Sequence, residues 1–154
     1  RKSAAGAARS HVNRRNRSMS FGTQHWPTEI RLKKAEKRLE IDFDDGKRFA
    51  YPAEFLRVES PSAEVQGHGP SQKQIVAGRM HVGILELEPI GNYAIRITFD
   101  DLHDTGIFSW EYLYGLGANQ ETLWRAYLAE LAARGLSRDP KTKGPAPATG
   151  GTAR

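Results

Sequence analysis

His103-Asp104-Thr105-Gly106-Ile107-Phe108-Ser109-Trp110-Glu111-Tyr112-Leu113 is the stretch where strand-like patterning gives way to helix-like patterning. An acidic corner, Asp100-Asp101-Leu102-His103-Asp104, precedes it. Gly106 to Phe108 reads as a brief strand, and Ser109 has the hydroxyl that accepts a first-turn N–H at a helix start, so a helix is predicted through Trp110, Leu113 and Leu116 up to Gly117. The stretch therefore joins a sheet to a helix within a few residues.

Working upstream, Tyr93, Ile95, Ile97 and Phe99 alternate with polar residues, as do Val82, Ile84 and Leu87 across Pro89-Ile90-Gly91-Asn92. This is the period of two expected of half-buried strands in a hairpin, and Gly83 marks an expected bulge. Further back, Ile30 and Leu32, then Leu39, Ile41 and Phe43, then Phe49 and Tyr51 repeat the pattern, with Asp45-Gly46 as a tight turn. Pro52 suits the start of a short helix through Phe55, Leu56 and Arg57; Ser60-Pro61-Ser62 ends it, and 66–79 reads as a long loop. Downstream, Asn119 is the expected cap of a last helix whose Leu123, Trp124, Tyr127, Leu128 and Leu131 share one face, ending at Gly135. The expected class is α+β: antiparallel β hairpins packed with two or three short helices in a single compact domain, residues 27–135.

Composition assigns the ends differently. Of the +5 formal charge, +6 sits on residues 1–25 and +3 on 137–154, which leaves −4 on the segment between them. Residues 1–26 read as a disordered basic leader and 136–154 as a disordered Pro/Gly/Lys tail, since neither has the apolar content to offset chain entropy. Nucleic-acid binding is expected only non-specifically, through the leader. Met19 is a plausible translation start; the alternative is that the acid-free leader is a transit peptide. No apolar run approaches the ~18 residues of a membrane span, so a soluble, cytoplasmic protein is expected, or an organellar one under the transit-peptide alternative. The chain has no cysteine, which excludes disulfides, thiol nucleophiles and Cys-ligated zinc or iron–sulfur clusters.

Together with Leu56-Arg57-Val58-Glu59-Ser60-Pro61-Ser62-Ala63-Glu64-Val65 and Gly67-His68-Gly69-Pro70, the His103–Leu113 run resembles the small domain of unknown function that also forms the N-terminal part of gamma-butyrobetaine hydroxylase. The resemblance covers about residues 27–117. It implies a zinc held by three cysteines and a later histidine; here the cysteine positions fall on Ser60, Ser62 and Val65, and only His103 matches, so the Cys3His zinc site is absent and Val65 is expected in the core. Hydroxylase chemistry belongs to a separate jelly-roll domain that this chain has no length for. The small domain also looks like an appendage of P-loop ATPases that carry iron–sulfur clusters, yet no P-loop motif occurs here.

Three groups of residues are candidates for function. His103 and Asp104, with His68 and more remotely His81, offer imidazole and carboxylate for a weak metal site or an acid/base pair; the competing reading is turn chemistry with a buried histidine. Phe108, Trp110, Tyr112, Tyr114 and Trp124 concentrate aromatic area: Trp110 and Leu113 are expected inside, Tyr112 and Tyr114 on the exposed side. Arg57, between apolar residues, is expected to pair with Asp104 or Glu111 and to border an interaction surface with Tyr112 and Tyr114. Ser60 and Ser62 lack a nucleophile-elbow motif and read as turn residues. The favoured function is a non-enzymatic accessory domain that meets a protein partner, in the iron–sulfur or metalloenzyme context the resemblance implies. The alternative is an iron- or zinc-binding domain associated with an oxidoreductase.

Overall fold

The computed structural model describes residues 23–66, 73–104 and 106–140. The basic leader before residue 23, His68 and the tail beyond Pro140 lie outside them.

The first sheet is an antiparallel meander of β1 (Pro27–Lys33), β2 (Arg38–Phe43) and β3 (Arg48–Pro52). Ile30 faces Ile41, Leu32 faces Leu39, and Leu39 faces Tyr51, so the alternation seen in the sequence becomes cross-strand pairing. Gly46 makes the β2–β3 turn at φ +90°, a conformation that a side chain would strain. The second sheet is β4 (Ile84–Ile90), β5 (Ala94–Phe99) and the three-residue β6 (Ile107–Ser109), also antiparallel. Between the sheets in sequence lie α1 (Ala53–Val58) and the single turn α2 (Ala63–Gln66); α3 (Trp110–Ala118) and α4 (Gln120–Ala133) close the chain. The α+β class is as expected, with its strands split between two three-stranded sheets.

Leu39, Ile41, Phe43 and Tyr51 of the first sheet, Ile84, Ile95, Ile97, Phe99 and Phe108 of the second, Phe55 and Leu56 of α1, and Trp110, Leu113 and Leu116 of α3 form one apolar cluster. Burial of this shared core is what joins the two sheets. Tyr51 lies fully inside and donates its hydroxyl to the Leu113 carbonyl at 2.7 Å, so α3 is tied to β3 through a satisfied polar group. A smaller cluster of Val58, Tyr127 and Leu131 docks α4 on the end of α1.

Several local expectations change. The bulge falls on Leu85, between Ile84 and Glu86; Gly83 stays in register, its carbonyl accepting from the Asp100 N–H at 2.9 Å. The loop predicted from 66 begins after the helical turn α2, which the Ser62 carbonyl nucleates by accepting the Val65 and Gln66 N–H groups. Ser109 caps α3 as predicted, its Oγ accepting from Tyr112 N at 3.0 Å. Asn119 is the N-cap residue of α4 as predicted, its carbonyl accepting from the Leu123 N–H at 2.9 Å, while its side-chain amide is turned back to close α3, donating to the Gly115 carbonyl at 2.9 Å. Leu128 is 39 % exposed because α4 buries only a narrow stripe, and Leu128 lies about 100° round from Tyr127.

α4 ends at Gly135 with the Leu136 and Gly135 N–H groups donating to the Leu131 and Ala132 carbonyls. The chain then continues as a docked strap past the predicted boundary at 135. Gly78 and Met80 N–H groups donate to the Ser137 and Arg138 carbonyls (2.9 and 3.1 Å), and the Arg138 guanidinium makes a two-point pair with Glu54 of α1 (2.9 and 2.8 Å).

Candidate functional site

The acidic corner between β5 and β6 is a tight loop. Phe99 N–H donates to the His103 carbonyl and Leu102 N–H to the Phe99 carbonyl, both at 2.9 Å, and Leu102 is held at φ +71°. Left-handed backbone is where glycine or asparagine is usual. Leu102 is also 78 % exposed. Its chain neighbours Asp100, Asp101 and Asp104 are exposed residues.

The next residue turns inward. His103 is buried, and its Nε2 is hydrogen-bonded to Ser60 Oγ at 3.0 Å, with Ser62 Oγ at 3.4 Å. Ser60, Ser62 and Val65 are themselves buried. Gly106 allows this approach: a Cβ there would stand 2.4 Å from Ser60 Oγ. The positions that the family resemblance aligns with zinc ligands thus meet in space, and the residues now there do not suit the ion. Two neutral hydroxyls already engaged with imidazole, and the isopropyl group of Val65, replace three thiolates. A hydrogen-bonded clip occupies the place, fastening the β5–β6 loop to the segment after α1. Of the proposed trio of His103, Asp104 and His68, His103 is buried, Asp104 is exposed and His68 lies outside the described residues. Among the described residues no group of three His, Cys, Asp or Glu side chains stands close enough to hold a metal ion.

Arg57 is buried, and its partner is Asp101, not Asp104 or Glu111: Nε donates to Oδ2 at 2.9 Å. Arg79 Nε approaches the same oxygen at 2.7 Å. Burial alone would push the Asp101 carboxyl up, but the His103 backbone N–H and the Arg57 guanidinium outweigh it and hold it below its ordinary value. Glu111 instead accepts from the backbone N–H groups of Gln24 and His25 and from His25 Nδ1 (3.0 Å).

Tyr112 and Tyr114, expected to be exposed, are half-buried. The Tyr112 hydroxyl donates to the Glu59 carbonyl at 2.5 Å, tying α3 to the end of α1, and burial followed by the Glu59 carboxylate pushes its phenol up. Tyr114 donates to Asp45 Oδ2 at 2.5 Å and stacks on His25 with ring centres 3.6 Å apart. Both tyrosines are spent on the fold because α3 is covered on two sides, which one helix's periodicity does not reveal. Leu102 and Arg79 went unrecognised as site residues; the available signal for Leu102 was an apolar residue inside an otherwise acidic turn.

A family profile described as gamma-butyrobetaine hydroxylase-like, N-terminal, matches residues 30–114. The chain belongs to that family. Two proteins of known structure, each solved by NMR in solution, are 49 % and 46 % identical to it; each covers 77 % of this chain, with 93 % and 89 % of its own length matched and a TM-score of 0.67. A crystal structure of a protein of unknown function from Acidithiobacillus ferrooxidans, in the DUF971 family, is 42 % identical over 60 % of this chain and 92 % of its own, with a TM-score of 0.51. No protein with a curated description matches. The chain is therefore a small gamma-butyrobetaine hydroxylase-like N-terminal domain with neighbours of unknown function, as the resemblance implied. No helix among its described residues is long and apolar enough to cross a membrane.

Proposed function

We propose that this domain is a non-enzymatic accessory module that docks on another protein through the Asp100–Asp104 loop, with Leu102 as its anchor. One observation carries the reading: Leu102 is at once in left-handed backbone and 78 % exposed. The backbone costs about 1 kcal/mol relative to glycine, and leaving a leucine in water forgoes roughly 2 kcal/mol of burial. Neither helps the isolated domain fold. Both make sense if the side chain enters an apolar pocket on a partner, and the clip beneath it fixes the loop in advance, lowering the entropy lost on docking. Asp100 and Asp104, close to Leu102 in the chain, are exposed, and a pocket bearing Lys or Arg beside its apolar part suits them. The metalloenzyme or iron–sulfur context implied by the resemblance names the partners to try first.

Leu102→Gly is the test. It relieves the backbone and removes the anchor, so the thermal midpoint should hold or rise while affinity for the partner, captured by the native domain and then purified, falls about tenfold or more. Equal affinity of both proteins refutes the docking role. The metal-binding alternative has less support, since His103 is buried with its Nε2 engaged by a serine hydroxyl, whereas Asp104 is exposed.

A further inference from the structure

A cavity of about 460 Å³ opens where α3 gives way to α4. Pro52 at the end of β3, Phe55 of α1 and Trp124 of α4 line it, Gly117 and Ala118 are too small to fill it, and Gln120 and Glu121 add polar groups. Both its volume and its lining, apolar and aromatic with a few polar atoms, are those of ligand sites. It shares no residue with the Leu102 loop.

The indole of Trp124 is fixed before any ligand arrives. Its ring meets Phe55 nearly edge-on, with centres 6.2 Å apart and 69° between planes, lies beside Tyr127 at 5.1 Å, and has the Arg138 guanidinium 5.3 Å from its centre. Little side-chain freedom is left to lose on binding. One donor nevertheless stays unused. Trp110 donates its indole N–H to the Asn92 carbonyl at 2.9 Å and Tyr127 its hydroxyl to the Val76 carbonyl at 2.6 Å, whereas Trp124 Nε1 has no acceptor among the described residues and reaches solvent. An indole N–H set in an apolar, half-buried wall is a donor aimed at whatever fills the space.

We infer that this groove receives a proline-rich segment of a partner protein in the polyproline II form, with a Lys or Arg beside the prolines. Apolar proline rings suit walls made by Pro52, Phe55 and Trp124. A polyproline II backbone has no internal hydrogen bonds, so its carbonyls are open to the Trp124 N–H, and its preset shape lowers the ordering cost. Glu121 supplies the charge complement: its side chain is 83 % exposed, and its i,i+4 partner Arg125, 3.2 Å away, is 69 % exposed, a pair weak enough for a ligand cation to share the carboxylate. The inference stands whether or not the Leu102 loop docks.

The full-length protein is titrated with a short acetylated peptide of prolines and alanines ending in lysine, and with a control in which alanine replaces every proline. NMR follows the Trp124 Nε1–H signal and the Gly117 and Ala118 amides. Saturable shifts are expected with the proline peptide and not with the control. Trp124→Phe keeps an aromatic wall without the donor and should weaken binding about fivefold, read at the two amides. Glu121→Lys, at an exposed position, should weaken the lysine-bearing peptide by a similar factor and leave a lysine-free version nearly unchanged. Absence of saturable shifts, equal binding of the control, or native affinity in either variant overturns the inference. If Pro145→Ala with Pro147→Ala moves the Trp124 signal of the protein alone, the occupant is the chain's own proline-bearing end and the assignment to a partner falls.

Discussion

Removing the Arg138 side chain tests how firmly the segment after α4 belongs to the domain. Its guanidinium makes two hydrogen bonds to Glu54, at 2.9 and 2.8 Å, and lies over the Trp124 ring with 5.3 Å to the centroid. The Glu54 side chain is only 7 % exposed, whereas that of Arg138 is 40 % exposed. Truncating one partner of a fully buried ion pair costs about 3–5 kcal/mol, because the other charge is left behind. Water reaches this pair from the Arg138 side, which screens it and brings the expected loss for Arg138→Ala to about 2 kcal/mol, including roughly 0.5 kcal/mol of cation–π attraction. For a domain of this size that lowers the thermal midpoint by about 8 °C. Urea unfolding measures the loss directly, and the m-value should stay constant because the core remains intact. Glu54→Gln in the same background should recover about half of it, since no buried carboxylate is then left unpaired. A loss below about 0.5 kcal/mol, or no coupling between the two positions, would show that residues 136–140 rest on the domain without stabilising it.

Two further outcomes concern the site. The Asp101, Glu111 and Asp45 carboxyls are all held below their ordinary values: Asp101 mainly by the His103 N–H and Arg57 against the pull of burial, Glu111 by His25 and the Gln24 N–H against burial, and Asp45 by the Tyr114 hydroxyl. A depressed folded-state value means stability is present above the unfolded value of about 4 and is lost as pH falls through the folded one, so thermal midpoints should be level near pH 6 and fall below about pH 4. Asp101→Asn should flatten that acid limb; an unchanged limb would remove Asp101 from the account. Ser60→Ala removes the 3.0 Å contact of the buried His103 Nε2 and keeps the longer one to Ser62, and the expected cost is about 1–2 kcal/mol by urea unfolding, with no response of the native protein to chelators. A chelator-induced drop in the native thermal midpoint would contradict the hydrogen-bonded clip.

The sheet strands, the turn at Asp45-Gly46, the Ser109 cap and the Gly135 stop could all be read along the chain, because each depends on neighbours within a few residues. Arg57 stood out as a cation in need of a carboxylate for the same reason, being an Arg set in an apolar helix. Its counter-ion did not, since Asp101 lies 44 positions away and Asp104 and Glu111 were equally plausible by distance along the chain. The fate of Tyr112 and Tyr114 was hidden likewise, because their hydroxyl partners, 53 and 69 positions off, belong to elements folded against α3 from different sides.

Local periodicity and turn chemistry were enough to set the class of fold, and the missing cysteines were enough to exclude thiolate metal chemistry. Which side chains of the site meet waited for the tertiary structure. The fold brings Ser60 and Ser62 to His103, places Arg57 and Arg79 on one carboxylate, and turns Leu102 outward in a backbone conformation that no sequence pattern announces. Secondary structure is decided by residues a few places apart, whereas a site forms between side chains whose separation along the chain carries no periodic signal, so only the packed core can say which of them meet.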